Sequence, residues 1–336
     1  MVPTVVIAYP GFGDIRLEEE VLGAIDATVL HVGNLDTPDD LQAVEQADAL
    51  MVTLERVPAE LIATMERCRI ISRVGTGLDT IDVDAATERG IWVTNVPDYA
   101  VDEVSTHAIA SLLAHARGLP RLIESTRRGE WSNKVAVPIR RLQGQTLGLL
   151  GFGRIGRTVG NKARGLGLEV IVHDPYVTSE TLELPGAQVV DWETLLRTAD
   201  YISLHVPLTE TTRHVINAEA LSVMKPTAFL INTARGELID EDALLQAVRG
   251  GQIAGAALDV LSIEPPPPDH PLLHEERVWI TPHSAWYSEE SMRDMRMRGA
   301  EEVVRVMRGG EPRCPVNQIK SGDQHGQNAQ DFPRVR

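Results

Sequence analysis

Cysteine is scarce in this chain, with only Cys68 and Cys314 among its 336 residues. Two cysteines are too few for a disulfide framework, which excludes the disulfide-stapled secreted domains. The opening stretch MVPTVVIAYP also lacks the charged segment and the long apolar segment of a secretory signal peptide. We therefore expect a protein of the reducing cytoplasm.

The chain also has few positive charges, with 32 Lys and Arg compared with 48 Asp and Glu, which gives a formal net charge of −16. This balance argues against a protein that holds nucleic acid by neutralising its phosphates. No apolar run approaches the roughly 18 residues that a membrane span requires. We expect a soluble protein with neither nucleic acid nor membrane as a partner, in which local positive groups meet any anionic ligand.

What the sequence does contain is a repeated alternation of strand and helix patterns. Short apolar runs such as 49–52 and 92–94 are separated by helical patterns, which is typical of βαβ units. A long helical pattern covers 102–117, another covers 288–307, and the length favours two domains. Between the two long helices the spacing predicts strands at 146–150, 169–173, 201–205, 228–232, 254–258 and 278–281.

Three glycines in the stretch LGLLGFGRIG, namely Gly151, Gly153 and Gly156, follow a predicted strand and open a predicted helix. In that context the spacing is the dinucleotide-binding fingerprint. The first glycine allows a tight turn, the second lets the backbone approach a pyrophosphate, and the third lets helix and strand pack closely. The N–H groups and positive dipole end of the helix would hold the phosphates, even in so acidic a protein.

Asp174 ends the next predicted strand, close to the roughly 20-residue spacing expected for a carboxylate that binds a ribose. Its carboxylate would accept from the adenosine ribose hydroxyls and repel a 2′-phosphate. We therefore predict NAD, used as NADH, rather than NADP. The alternative interpretation is a packing turn with an N-capping aspartate before Pro175.

Three polar residues, Arg235, Glu264 and His283, come just after predicted strands of the same series. Ligands of doubly wound sheets bind outside the carboxyl ends of the strands, so these side chains should converge where a nicotinamide would lie. Glu264 would keep His283 protonated, ready to donate to a carbonyl oxygen as hydride arrives. The planar fork of Arg235 suits a substrate carboxylate. Taken singly, each also has an ordinary interpretation: a structural histidine, a surface arginine and a cap for the proline run.

Seven stretches of the chain resemble the D-isomer-specific 2-hydroxyacid dehydrogenase family. They span about residues 50–310 in the family's order. The stretches are RVGTGLD at 73–79, NVPD at 95–98, the glycine loop, HVPLTET at 205–211, NTARG at 232–236, ALDV at 257–260 and TPH at 281–283.

The resemblance implies an α/β fold with two doubly wound parallel-sheet domains, a Rossmann NAD domain inserted in a flavodoxin-like substrate domain. Residues 1–100 and 288–320 would form the substrate domain, residues 101–287 the NAD-binding domain, and residues 321–336 a polar tail. The insertion explains why the glycine loop lies in mid-chain. Members of the family are usually dimers, so a homodimer is expected.

The resemblance also assigns the cofactor and catalytic residues. Arg235, Glu264 and His283 match the catalytic set, and Asp259 would face the nicotinamide carboxamide. Where the family commonly has Glu-His-Thr, this chain has Thr106-His107-Ala108 and lacks the usual threonine contact to the nicotinamide. No metal is predicted. The implied cofactor contacts are Gly151, Gly153, Arg154, Ile155, Gly156, Asp174, Val206, Pro207, Thr212, Thr233, Ala234 and Asp259.

Substrate contacts are implied by the same comparison, and two stretches, PDYAVDEV and HSAWYSEE, resemble the branch related to the C-terminal-binding-protein corepressors. In that branch Trp286 would line the pocket, and Arg73 would add a second cation suited to a dianionic substrate or else form a structural salt bridge. Glu264 speaks against a formate dehydrogenase, whose branch carries glutamine there. The implied substrate contacts are Leu54, Arg73, Val74, Gly75, Tyr99 and Trp286.

Taken together, the residues and the resemblance predict an NAD-dependent dehydrogenase that interconverts a small 2-keto acid and its D-2-hydroxy acid. Two alternatives stay open. One is an NAD-sensing scaffold that binds partner proteins, as the corepressor resemblance allows. The other is an oxidoreductase that acts on a phosphonate-type anion, which Arg73 would accommodate.

Overall fold

The computed structural model describes residues 2–8, 13–136 and 138–319. The chain divides into two compact units. Of the described residues, those up to Tyr99 and from Ser288 onward form the first unit, and those between Ala100 and Tyr287 form the second. The predicted polar tail, 321–336, lies outside the described residues.

The described strands all belong to two parallel sheets. In chain order they are β1 Thr4–Ala8, β2 Thr28–Val32, β3 Ala49–Val52, β4 Ile70–Arg73, β5 Trp92–Thr94, β6 Thr146–Leu150, β7 Glu169–His173, β8 Gln188–Val189, β9 Tyr201–Leu204, β10 Phe229–Asn232, β11 Gly255–Leu258 and β12 Val278–Ile280.

Most helices lie between consecutive strands, and the last helix follows the last strand. In chain order the α-helices are α1 Arg16–Leu22, α2 Pro38–Glu45, α3 Ala59–Thr64, α4 Val83–Glu88, α5 Val101–Ala116, α6 Leu119–Arg127, α7 Arg154–Gly165, α8 Trp192–Thr198, α9 Ala218–Val223, α10 Glu241–Arg249 and α11 Glu289–Met307.

The first unit is built on a five-stranded parallel sheet in the order β2-β1-β3-β4-β5. This is the flavodoxin-like strand order. Every residue of β3 and β4 is buried, as expected for central strands of a parallel sheet covered on both faces.

Helix α11 belongs to this first unit although it follows the last strand of the second. Ser72 on β4 donates its hydroxyl to the Gly299 carbonyl at 3.0 Å. The guanidinium of Arg296 donates to both carboxylate oxygens of Glu18 at 2.6 Å, and both side chains are buried. Ser288 forms a capping box at the N-terminus of α11. The sequence therefore marks where the chain re-enters the first unit.

The second unit is built on a seven-stranded parallel sheet in the order β12-β11-β10-β9-β6-β7-β8. This is the Rossmann order with one further strand at an edge. Successive residues of β10 point to opposite faces, with Phe229 and Ile231 in one hydrophobic cluster and Leu230 in the other. Because all strands are parallel, the segments that follow β6, β7, β10, β11 and β12 meet at one edge of the sheet.

The predicted fold class, two parallel-sheet α/β domains, is confirmed. Each of the six strands predicted between 146 and 281 is present to within one residue at either end. The spacing missed β2 and β8. Strand β2 lies at the sheet edge with no fully buried residue, and β8 has only two residues, so neither gives a buried apolar run. Among the described helices, none combines the length and apolarity that crossing a membrane would need.

Candidate active site

The glycine loop follows β6 and leads into α7. Gly151 has φ +92°, and a Cβ there would lie 2.6 Å from the His205 carbonyl oxygen. A Cβ on Gly156 would collide with the Gly151 carbonyl oxygen, whereas one on Gly153 would meet no atom of the described chain within 4 Å. The first and third glycines are therefore required by packing within the protein, and the second leaves the N-terminus of α7 open to approach.

Asp174 ties this loop to the end of β7. The Gly151 N–H donates to the His173 carbonyl at 3.0 Å. The Phe152 N–H donates to one Asp174 carboxylate oxygen at 2.8 Å, and the Tyr176 N–H donates to the other at 2.9 Å. Since each carboxylate oxygen has two lone pairs, both can still accept a ribose hydroxyl.

Three features of the second unit fit a dinucleotide. No side chain of the described residues caps the N-terminus of α7 at Gly153, which leaves its first-turn N–H groups for an anion. The hydroxyl of Thr233 is buried and has no hydrogen-bond partner among the described residues. It lies on a cavity of about 240 Å³ that His107, Asp259 and Thr281 also line. A buried unpaired hydroxyl costs free energy, so a ligand group in this cavity is the natural partner.

The other predicted cofactor residues surround the same edge of the sheet. Arg154 and Ile155 form the first turn of α7. Val206 borders the glycine loop, and the Thr212 hydroxyl donates to the Pro207 carbonyl at 2.7 Å, which closes the loop after β9. Their contacts with a cofactor stay predictions.

His283 and Glu264 form a hydrogen-bonded imidazole–carboxylate pair. Nδ1 of His283 lies 2.7 Å from one carboxylate oxygen of Glu264, and the Leu261 N–H donates to the other at 2.8 Å. Burial raises the pKa of Glu264, but the hydrogen bond and charge of His283, the Leu261 N–H and the charge of Arg235 outweigh it and leave that pKa below its ordinary value.

This arrangement fixes which ring nitrogen faces outward. An ionised carboxylate only accepts hydrogen bonds, so Nδ1 of His283 carries the proton that Glu264 receives. The opposite nitrogen, Nε2, is left to exchange a proton with a ligand. The side chains of His283 and Glu264 are 33% and 32% exposed, so a ligand can reach the pair.

Arg235 follows β10 and lies close to this pair. Its Nη1 donates to the Ala234 carbonyl at 2.6 Å, which orients the guanidinium. A Cβ on Gly236 would overlap the Leu261 carbonyl, so the segments after β10 and β11 are in direct contact. That contact places Arg235 near enough for its charge to lower the pKa of Glu264.

Asp259 holds the segment that carries His283. Its carboxylate accepts the Ser284 and Ala285 N–H groups, both at 2.9 Å, and the Thr281 hydroxyl at 2.5 Å. Its carbonyl accepts the His283 N–H at 2.8 Å. His283 has φ +49°, a left-handed conformation that non-glycine residues rarely adopt. These hydrogen bonds hold it there, while the predicted contact of Asp259 with a carboxamide stays a prediction.

The first unit carries the remaining predicted substrate residues at the carboxyl edge of its own sheet. Leu54, which follows β3, is 61% exposed, and Tyr99 is half-buried. Arg73 is buried, and its Nη1 donates to the Val74 carbonyl at 2.5 Å while the guanidinium packs against Gly75. The Val74 N–H donates to the carbonyl of Val52, the last residue of β3, at 2.7 Å, so this N–H is already used within the sheet. The contacts of Val74 and Gly75 with a substrate stay predictions.

In the second unit, Trp286 lies three residues beyond His283. It is half-buried and packs edge to face on Tyr287, with ring centroids 5.6 Å apart. Its contact with a substrate also stays a prediction.

Two residues that border the site, His107 and Thr281, were not predicted from the sequence to take part in it. His107 on α5 reaches Thr281, with its Nε2 3.1 Å from the hydroxyl. The signal was present in Thr106-His107-Ala108, where His107 keeps the histidine of the family motif, but a single sequence does not show which neighbour a helical side chain meets.

Comparisons with known proteins agree with this geometry. The family model described as D-isomer specific 2-hydroxyacid dehydrogenase, NAD binding domain, matches residues 109–285. D-3-phosphoglycerate dehydrogenase of Methanocaldococcus jannaschii is 41% identical over 297 residues, which cover 88% of this chain and 55% of that protein. Glyoxylate reductase of Korarchaeum cryptofilum is 40% identical over 284 residues, 83% of this chain and 85% of that one.

Among solved structures, D-lactate dehydrogenase from Aquifex aeolicus, complexed with NAD and lactic acid, superposes with a TM-score of 0.83. It is 29% identical and is matched over 91% of this chain and 96% of its own. The chain spans about half the length of the phosphoglycerate dehydrogenases it first matches, such as the one from M. jannaschii at 55%.

The fold and the site define a dinucleotide-dependent α/β protein with a histidine–carboxylate pair. The chain belongs to the D-isomer-specific 2-hydroxyacid dehydrogenase family. The family prediction and NAD as the cofactor are confirmed, and the prediction of an oxidoreductase acting on the CH–OH group of 2-hydroxy acids is confirmed at the level of the family. The catalytic residues and the substrate stay predictions.

Proposed function

We propose that this chain is an NADH-dependent reductase of small 2-keto acids, which runs in reverse as a D-2-hydroxyacid dehydrogenase. The 2.7 Å contact between His283 and Glu264 carries the proposal. It provides a proton donor that is oriented by a carboxylate, on the same sheet edge as the glycine loop. General acid catalysis of this kind contributes roughly 10²–10⁴ to a rate.

His283 is the proton donor in this reaction. Nε2 gives its proton to the substrate carbonyl oxygen as that oxygen gains charge, and Glu264 stabilises the positive ring beforehand through Nδ1. When bound, NADH supplies the hydride that the carbonyl carbon receives. In the oxidative direction Nε2 takes the hydroxyl proton.

Arg235 orients the substrate through its carboxylate. Its guanidinium offers paired N–H donors that match the two carboxylate oxygens. With one nitrogen fixed on the Ala234 carbonyl, the guanidinium is pre-oriented before substrate arrives. The proposal therefore requires a carboxylate adjacent to the carbonyl.

The substrate class is a short 2-keto acid, including dianionic ones. Relatives named for glyoxylate and for phosphoglycerate are both similar to this chain over more than four fifths of its length. A panel of glyoxylate, hydroxypyruvate, pyruvate and phosphohydroxypyruvate with NADH, followed by absorbance of the nicotinamide, tests the proposal. Turnover of any of them, lost in His283→Ala, is the expected result.

No turnover across mono- and dianionic keto acids, in a protein that still binds NADH, would contradict the proposal. That outcome would favour the NAD-sensing scaffold. Oxidation of a phosphonate-type anion with NAD would instead favour the third alternative.

We also propose that the chain acts as a homodimer. Leu119 and Ile123 lie one turn apart on α6 and are 44% and 49% exposed, and Trp131 just beyond is 93% exposed. Large apolar side chains clustered on a surface favour a protein partner. Light scattering on the wild type and on Ile123→Glu tests this, with a shift toward the monomer expected in the variant.

A further inference from the structure

A second imidazole lies behind the catalytic pair. Nε2 of His107 is 3.1 Å from the Thr281 hydroxyl oxygen and 3.8 Å from one Asp259 carboxylate oxygen. The Thr281 hydroxyl is 2.5 Å from that same carboxylate oxygen. The three side chains therefore form a chain of polar contacts from α5 to the segment that carries His283.

The chemistry of the groups fixes the direction of each hydrogen bond. Asp259 is surrounded by donors, namely the Ser284 and Ala285 N–H groups and the Thr281 hydroxyl, so its carboxylate acts only as an acceptor. The single hydroxyl proton of Thr281 is then used on Asp259. The Thr281 oxygen can only accept from His107, and Nε2 of His107 must carry a proton.

We infer that His107 is a positioning residue for His283, acting through Thr281 and Asp259. This inference rests on the proposed function, in which His283 is the proton donor. The Nε2–H of His107 holds the Thr281 hydroxyl in the one orientation that points its proton at Asp259. Asp259 then stays aligned on the backbone N–H groups that follow His283 and keep it in its left-handed conformation.

The same geometry shows which residue of Thr106-His107-Ala108 reaches the site, and it is the histidine that this chain shares with the family motif. Ala108 is buried in the hydrophobic cluster that α5 shares with the sheet, so it takes no part in the site. His107, one residue earlier, lines the cavity with Thr233 and Asp259. The helix therefore contributes its polar group through the histidine.

The inference has a test that needs no turnover. In protein labelled with ¹⁵N-histidine, His107 should be the tautomer protonated at Nε2. The Nδ1–H signal of His283, which reports its bond to Glu264, should shift or broaden in His107→Leu and in Thr281→Val. It should stay unchanged in His107→Gln, whose amide can still donate to Thr281, and in His115→Phe, a matched change on the same helix outside the network.

Kinetics supply the second test. His107→Leu should lower kcat, measured at saturating NADH, about tenfold, the scale of one lost hydrogen bond. Thr281→Val should have a similar effect. The double variant should be no worse than the more affected single variant, because both remove the same chain of contacts. His107→Gln should recover activity to within about threefold of the wild type.

Two results would overturn the inference. One is an unchanged His283 signal in a folded His107→Leu protein, and the other is multiplicative losses in the double variant. A wild type that reduces no keto acid would contradict the proposed function, and the His283 signal would then still decide whether His107 positions it.

Discussion

Nδ1 of His283 donates to the Glu264 carboxylate over 2.7 Å, and that carboxylate is itself held by the Leu261 N–H. The two residues lie 19 positions apart, after different strands. They meet because β11 and β12 are neighbours in a parallel sheet, so the segments after them share one edge. The histidine is thereby presented with Nε2 outward.

Removing the imidazole should abolish proton donation and leave cofactor binding in place. We expect His283→Ala to lower kcat roughly 10²-fold or more, with the Kd for NADH little changed. Stopped-flow turnover and NADH fluorescence measure the two quantities. His274→Ala, which removes another histidine of the same unit, is the matched control and should keep wild-type turnover. A His283→Ala protein with near wild-type kcat would remove the histidine from the mechanism.

Neutralising the partner carboxylate should weaken the acid without removing it. We expect Glu264→Gln to lower kcat about tenfold or more, because the neutral amide no longer stabilises the protonated ring. Glu264→Asp keeps the charge on a shorter side chain and should be affected less. The kcat values of the two variants, measured at one pH and with NADH affinity shown to be unchanged, test this order. Equal losses in both would show that reach, rather than charge, is what matters.

The glycine loop offers a pair of substitutions with opposite effects. Gly153→Ala should fold normally, since its Cβ meets no described atom and its φ of −72° suits alanine, but should weaken NADH binding about tenfold or more by occupying the pyrophosphate approach. Gly156→Ala should lower the Tm, because its Cβ would collide with the Gly151 carbonyl oxygen. Thermal melting and NADH titration separate the two. A Gly153→Ala protein that binds NADH like the wild type would contradict this assignment.

Much of the site could be predicted from the sequence because it lies in short segments after strands. The glycines, Asp174, Glu264 and His283 each follow a buried apolar run, and a parallel sheet brings such segments to one edge. What the sequence could not show is side-chain reach. The hydrogen bond from His107 to Thr281 depends on how α5 is rotated against the sheet, which the helical period alone does not fix.

Arg73 shows the same limit. Arg73 is the last residue of β4, so its position predicts a cation at the carboxyl edge of the first sheet. The guanidinium, however, turns back onto the Val74 carbonyl against Gly75. The guanidinium can take this position because Gly75 has no side chain there. The sequence shows the glycine, but the spacing of the motif does not show in which direction the arginine side chain points.

Asp174 should set the preference between the two nicotinamide dinucleotides. Its carboxylate at the end of β7 would repel a 2′-phosphate, and it also holds the Phe152 N–H. Asp174→Asn keeps an oxygen for that N–H and removes the charge, so we expect the ratio of NADH to NADPH efficiency to fall about tenfold with little change in Tm. Measuring kcat/KM with NADH and with NADPH under the same conditions gives this ratio. An unchanged ratio in the folded variant would mean that the carboxylate does not face the ribose.

His115 should make the second unit sensitive to acid. Burial, together with the nearby charge of Arg121, lowers the pKa of His115 from 6.5 to about 4, and the ring stacks on Phe229 at 3.8 Å. Below pH 6.5 this histidine is therefore protonated in the unfolded chain, whereas in the folded chain it stays neutral down to about pH 4. The free energy of unfolding should fall across that window by up to about 3 kcal/mol from this group and level off beneath it. Urea unfolding of the wild type and His115→Phe at pH 7 and pH 4.5 isolates the effect, since all other groups are common to both. The variant should lose less stability on acidification, and parallel losses in the two proteins would place the acid sensitivity elsewhere.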